Sequence, residues 1–191
     1  MKRLNKDRYS VVVHPGNEII NEVKEIKNSL SHSIGWYSSR NAEVHITLAE
    51  FDADPNEFIL RLLRVKNFCY TQKTRNVKFD NLVISDLNNM VFLLPNSESK
   101  IYMKGFVSKF RKMFGFDHVT YGSSAHISIG KHLQTEQIVL AKQAIGEVSL
   151  NFNCEKIAVR KFDPFANQFT VIYEFYFLGE QPLEGQLSLF E

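Results

Sequence analysis

Apolar residues recur along this chain with two periods, and the switch between them marks out the elements. Tyr9–His14 reads as a strand centred on Val11, Val12 and Val13. Pro15-Gly16-Asn17 breaks it, and Ile19, Val23, Ile26 and Leu30 then recur at helical spacing until Gly35. Trp36 to Asn41 reads as a loop. Glu43–Phe51 alternates as a strand. Asp54-Pro55-Asn56-Glu57 opens a helix with a capping carboxylate, a proline at the first position and an acid in the first turn. Phe58, Leu62, Val65 and Cys69 follow on one face. Val77–Leu87 and Met90–Pro95 read as a hairpin turning at Asn88-Asn89.

The order then starts again. Ser97 is placed to cap a helix carrying Met103, Phe106, Phe110 and Met113, ended by Gly115. Phe116 to Ser124 reads as a loop or short strand, and Ala125–Gly130 as a strand. Thr135 is placed to cap a helix with Ile138, Ala141 and Ile145, ended by Gly146. Val148–Phe162 and Gln168–Leu178 read as two closing strands joined around Pro164. Strand, helix, strand, helix, strand thus fills roughly residues 9–87 and recurs, with one extra strand, over roughly 90–178, with the ends free to exchange between the two lobes. This element order predicts an α+β, bilobal, pseudo-twofold protein, with antiparallel-rich sheets lining a shared cleft and helices on the outer faces.

Two strands carry chemistry. In a strand, alternate side chains share a face. His45 and Thr47 therefore share one face of their strand, with Val44, Ile46 and Leu48 on the other. His126 and Ser128 pair in the same way against Ala125, Ile127 and Ile129. Each pair sets an imidazole and a hydroxyl about 7 Å apart. An imidazole moves protons near neutral pH, and a hydroxyl donates to an anionic oxygen. A third copy, His118-Val119-Thr120, lies between Asp117 and Tyr121-Gly122 and lacks the apolar alternation of a half-buried strand.

Composition narrows the classes. With 191 residues, 44% hydrophobic positions and 16 Phe, the chain has ample material for a sizeable core. A net charge of +2 permits an anionic substrate without demanding one. Cys69 and Cys154 stand far apart, which disfavours a disulfide framework or a cysteine zinc site and suits a reducing cytoplasm. The charged start, Met1 to Arg8, is followed by no signal-peptide core, and no run approaches the roughly 18 apolar residues of a membrane span.

Two His-x-Thr/Ser motifs with apolar flanks, about eighty residues apart, resemble those of the 2H phosphoesterase superfamily. Within it the chain is most similar to the 2′-5′ RNA ligase-like (LigT-like) and cyclic phosphodiesterase branch. The resemblance implies a single domain over 1–178 and a separate tail over 179–191. It implies action on 2′,3′-cyclic phosphates or 2′-5′ linkages of RNA or nucleotides, without a metal or other cofactor. By motif position His45 and His126 become the acid–base pair, and Thr47 and Ser128 the phosphate grips. Several relatives carry a basic residue after the second motif; Lys131 stands one residue beyond that place.

Other residues have two readings each. Trp36, Tyr37 and Tyr121 precede the motif strands and either stack on a base at the cleft rim or pack under loops. His14 ends the first strand and suits a turn contact; His32 and His132 read as surface residues. Lys100, Lys104, Lys109, Arg111 and Lys112 cluster on one predicted helix, either on an RNA backbone or as a solvated face. The tail Gln186-Leu187-Ser188-Leu189-Phe190 resembles the pentapeptide by which bacterial proteins dock on the DNA sliding clamp. Gln186 would make polar contacts while Leu187, Leu189 and Phe190 fill an apolar pocket; alternatively they fold onto the protein's own surface. A monomer with no membrane contact is expected. A non-catalytic module that binds phosphate or RNA ends, recruited through the tail, is the rival to an enzyme.

Overall fold

The strands assort into two wholly antiparallel sheets, and the computed structural model describes residues 6–180 of this arrangement. In chain order the elements are β1 (Asp7–Val13), α1 (Asn17–Ile34), β2 (Ile46–Ala53), α2 (Pro55–Thr71), β3 (Arg75–Ser85), β4 (Met90–Pro95) and α3 (Ser97–Phe114). After them come β5 (Val119–Tyr121), β6 (Ile127–Gly130), α4 (Thr135–Ala144), β7 (Leu150–Cys154), β8 (Lys156–Asp163) and β9 (Gln168–Tyr176). The first sheet runs β5-β2-β1-β8-β9 and the second runs β6-β4-β3-β7. The α+β class, the antiparallel pairing and the bilobal arrangement follow the predicted pattern.

The sheets do not follow the halves 9–87 and 90–178. β3 joins the second sheet, while β8 and β9 return to the first. The chain passes between the sheets after β2, β4, β5 and β7. The predicted strand Val148–Phe162 is two strands in different sheets, divided at Glu155. The burial pattern explains the division. Along β7 only alternate residues are buried, because one face is open; Lys156 to Arg160 are all buried, because β8 lies inside the first sheet with both faces covered.

Helix boundaries follow the capping chemistry. Asp54 accepts from the backbone N–H of Asn56 (2.9 Å) and Glu57 (3.0 Å), and the Glu57 carboxylate accepts from the Asp54 N–H, as its sequence predicts. Two caps shift by one residue: Asn96, not Ser97, caps α3, and Gln134, not Thr135, precedes α4. The Asn88-Asn89 turn closes the β3–β4 hairpin with Asn89 in the left-handed region. Helices α1 and α4 pack together over the second sheet, and α2 packs on the first sheet and against α3. Phe68 meets Phe106 and Phe110 edge-on, each at 5.2 Å, between α2 and α3. Each such buried ring contributes about 1.5–3 kcal/mol, so these helices hold the outer layer that fixes the sheets.

Candidate active site

Both motif histidines stand one residue ahead of their strands, at the entry to β2 and to β6. Each strand then bulges at the same place. Val11 pairs Ala49 and Val12 pairs Thr47, so Leu48 is the extra residue of β2. Val91 pairs Gly130 and Phe92 pairs Ser128, so Ile129 is the extra residue of β6. A bulge shifts the side-chain alternation by one. Thr47 and Ser128 stay half-buried on the face away from the core, Leu48 and Ile129 enter the core fully buried, and the next positions on the half-buried face become Glu50 and Lys131. The one-residue offset of Lys131 in the sequence is this bulge. His45-x-Thr47-x-x-Glu50 and His126-x-Ser128-x-x-Lys131 are therefore equivalent segments in the two sheets.

The imidazoles are held alike. His45 Nδ1 lies 2.7 Å from the Glu43 carbonyl oxygen, and His126 Nδ1 lies 3.1 Å from that of Ser124. A carbonyl only accepts, so each Nδ1 carries the hydrogen and each Nε2 keeps its lone pair. Phe92 sets its ring against that of His126 at 5.7 Å and 67°. No side chain among the described residues bonds either Nε2, the Thr47 or Ser128 hydroxyl, or the Lys131 ammonium.

The two motifs meet through the segment ahead of His126. Gly122 donates to the Leu48 carbonyl at 3.0 Å, and its Cα lies so close to the Thr47 backbone that only glycine fits. Tyr37, buried at 2% exposure, donates to the Ile129 carbonyl, and the Lys131 N–H donates to Ser39 Oγ at 2.7 Å, so the loop before β2 also braces β6. The Lys131 charge acts on both histidines, and Lys131 in turn feels Glu50 and Arg160.

Arg160, which the sequence reading missed, is the principal electrostatic neighbour of His45. It reaches across from β8 with only 4% exposure. Nη2 donates to Ser10 Oγ at 3.1 Å, Nη1 lies 3.1 Å from His45 Nδ1, and Nε has no partner among the described residues. Because Nδ1 already gives its hydrogen to Glu43, the guanidinium acts on His45 as a nearby positive charge. Burial first and the guanidinium second hold the His45 imidazolium well below its usual range. Burial also lowers His126, with a further push from Lys131 and an opposing pull from the Ser124 carbonyl. Burial lowers Arg160 itself to about 10, opposed by Glu50 and Glu43.

His14 is no turn contact. It is 7% exposed, with Nδ1 2.9 Å from Glu174 and Nε2 3.1 Å from Glu43. Both nitrogens face carboxylates, so both donate and the ring is an imidazolium. Burial alone would lower His14; the bonds to Glu43 and Glu174 outweigh it and raise the ring above its usual value. His14 thereby fixes Glu43, whose carbonyl sets the His45 tautomer. Lys156 completes the cluster, donating to Glu174 at 2.7 Å.

The remaining predicted residues divide. Trp36 is 69% exposed, and its ring has no aromatic or cationic partner among the described residues. Tyr121 lies opposite Ala49 on the helix-covered face of the first sheet, with its ring between Arg111 (4.9 Å) and Phe114 (6.4 Å), so it packs instead of lining the cleft. His118 is exposed ahead of the short strand β5. Gln186, Leu187, Leu189 and Phe190 lie outside the described residues. Among the described residues no helix is long and apolar enough to cross a membrane, and no three His, Cys, Asp or Glu converge on a metal position.

No family model and no curated protein matches the chain. Solved structures do match its fold. E. coli LigT in its apo form aligns with a TM-score of 0.67 at 11% identity, over 90% of this chain and 97% of that one. TT0787 of Thermus thermophilus aligns with a TM-score of 0.61 at 14% identity, over 91% and 100%. A further solved phosphoesterase aligns with a TM-score of 0.62 at 12% identity, over 90% and 98%. Sequence identity this low carries architecture alone, and in architecture this chain is similar to LigT, to TT0787 and to that phosphoesterase.

Proposed function

We propose that the protein is a phosphoesterase acting on 2′,3′-cyclic phosphate or 2′-5′ phosphodiester groups of RNA or nucleotides, through acid–base catalysis by His45 and His126. The observation that carries this reading is the matched pair of Nδ1–H bonds to the chain's own carbonyls, which leaves two Nε2 atoms as the reactive positions. The solved complexes of E. coli LigT with phosphate and with 3′-AMP support a phosphate-bearing nucleotide as ligand.

For a cyclic phosphate, neutral His45 takes a proton from water at Nε2 as the water oxygen bonds to phosphorus. The bond from phosphorus to one ribose oxygen breaks, and His126 Nε2–H gives that oxygen its proton. The product is a ribose monophosphate. His45 takes the base role because the Arg160 guanidinium beside it disfavours its imidazolium. Thr47, Ser128 and Lys131 bind the non-bridging oxygens, where charge builds in the transition state.

The test is turnover of a 2′,3′-cyclic nucleotide and a 2′-5′ dinucleotide by wild type, His45→Ala and His126→Ala. Each proton transfer typically contributes about 10²–10⁴-fold, and each variant should lose that much. Wild type that binds these compounds tightly without converting them would establish the binding module instead.

A further inference from the structure

Beside the His126 loop lies a cavity of about 460 Å³, within the usual ligand-pocket range of about 300–1,000 Å³. Its floor is the end of the second sheet at Leu94 and Pro95, one wall is α3, and the other is the segment Gly122–Ala125. Ser124, whose carbonyl holds His126 Nδ1, lines it, so the cavity opens directly beside that histidine.

Its charge is one-sided. None of the lining residues is acidic, while Lys100, Lys104 and Arg111 all face it. They sit on one stripe of α3, four and then seven residues apart, over about 16 Å of helix. Lys100 and Lys104 are exposed and have no ion-pair or hydrogen-bond partner among the described residues. Arg111 is held in place, stacked on Tyr121 at 4.9 Å and donating to the Gly122 carbonyl at 3.4 Å. Lys109 and Lys112 do not line the cavity. Leu94, Pro95, Met103 and Val107 supply the apolar part of the lining, and Asn81, Ser108 and Ser123 add neutral polar groups.

Cations along one edge and an apolar floor beneath fit a strand with anionic groups along its backbone and flat apolar rings on its other side. An acidic peptide without apolar side chains would leave the floor unused. We infer that this cavity is a second subsite that holds the single-stranded RNA preceding the terminal phosphate, with phosphates on Lys100, Lys104 and Arg111 and a base on the apolar floor at Leu94 and Pro95. The inference rests on the phosphoesterase reading for the position of that terminal phosphate. It makes oligoribonucleotide ends, not free mononucleotides, the preferred substrate class.

The test measures fluorescence anisotropy with a short labelled oligoribonucleotide ending in a 3′-phosphate, which binds without needing turnover. Wild type should bind it at least tenfold more tightly than a nucleoside 3′-monophosphate. Lys100→Glu/Lys104→Glu should weaken oligonucleotide binding at least tenfold while kcat/KM for a mononucleotide 2′,3′-cyclic phosphate stays within twofold. The milder Lys100→Gln/Lys104→Gln should reduce the slope of log affinity against log salt by about 1.4, at about 0.7 per phosphate contact on a single strand. Oligonucleotide affinity unchanged in both variants overturns the subsite, as does equal loss of mononucleotide turnover or equal displacement by an acidic peptide of the same charge. Absence of any turnover by wild type speaks against the phosphoesterase reading alone, since the binding comparison still decides the subsite.

Discussion

Gly122→Ala tests how the two motifs are coupled, because a single methyl group enters where two backbones touch. A Cβ at residue 122 would fall well inside 3.0 Å of the Thr47 carbonyl oxygen and 3.2 Å from its carbon, a closeness that real Cβ atoms essentially never show. The obstacle is backbone in the bulged part of β2, so no side chain can swing aside. The two segments must part by something on the order of 1 Å, and a displacement of that size at a reacting centre costs about 10²-fold in rate. The Gly122 bond to the Leu48 carbonyl is lost with it. Overpacking of this kind typically destabilises by about 1–3 kcal/mol. Gly105→Ala serves as control, since a Cβ there meets nothing within 4 Å and alanine favours helix α3 by about 1 kcal/mol. Cyclic-phosphate kcat/KM and thermal melts should show Gly122→Ala slow and less stable, and Gly105→Ala active and slightly more stable. Gly122→Ala with a wild-type melt and activity within threefold of wild type would refute the coupling.

Three further outcomes are expected. Both motif imidazoles, His45 and His126, titrate below their usual 6.5, so the state with one protonated and one neutral ring peaks below that pH. The profile of kcat/KM should therefore be bell-shaped with an acidic optimum and a fall above pH 6.5, and should survive EDTA; an alkaline optimum would contradict the electrostatics. His14 is raised on folding, so its contribution is full below its unfolded value and fades as pH rises through the folded one. His14→Ala should cost about 1–3 kcal/mol at pH 6 by urea melts, with a smaller difference at pH 9; a difference that grows with pH sinks the imidazolium assignment. Deleting residues 186–191 should abolish pull-down of a bacterial sliding clamp while hydrolysis continues, and clamp binding by the shortened chain would end the docking-tail idea.

Local chemistry is what could be read from the sequence. The Asp54 capping box, the helical stripe of α3 and the alternation around each His-x-Thr/Ser motif are written in consecutive residues, and they settled the α+β class and the element order. Two further signals were present but had no local meaning. Lys131 falls out of phase with His126 by one residue because Ile129 is bulged, and a bulge depends on the partner strand β4. The change from alternating to continuous burial at Glu155 marks the passage from the second sheet to the first, yet both stretches are β-formers. Arg160 and His14 were out of reach for another reason. Their meaning comes from neighbours at sequence separations of 115 and 160 residues, which only the sheet order brings together. Trp36 and Tyr121 were judged by proximity to the motifs in sequence, and Tyr121 lands on the opposite face of its sheet.

The chain laces the two sheets together with four passages, and this limits what the groove can do. A protein of two lobes on a single tether can clamp shut on its ligand; here each opening movement would strain several connections at once. Neither sheet can be completed without strands drawn from both halves of the sequence, so the lobes should melt in one cooperative step, as small single domains usually do. A groove held in this way would select by fit, and discrimination between substrates should then appear in how they enter, with little rearrangement of the protein around them.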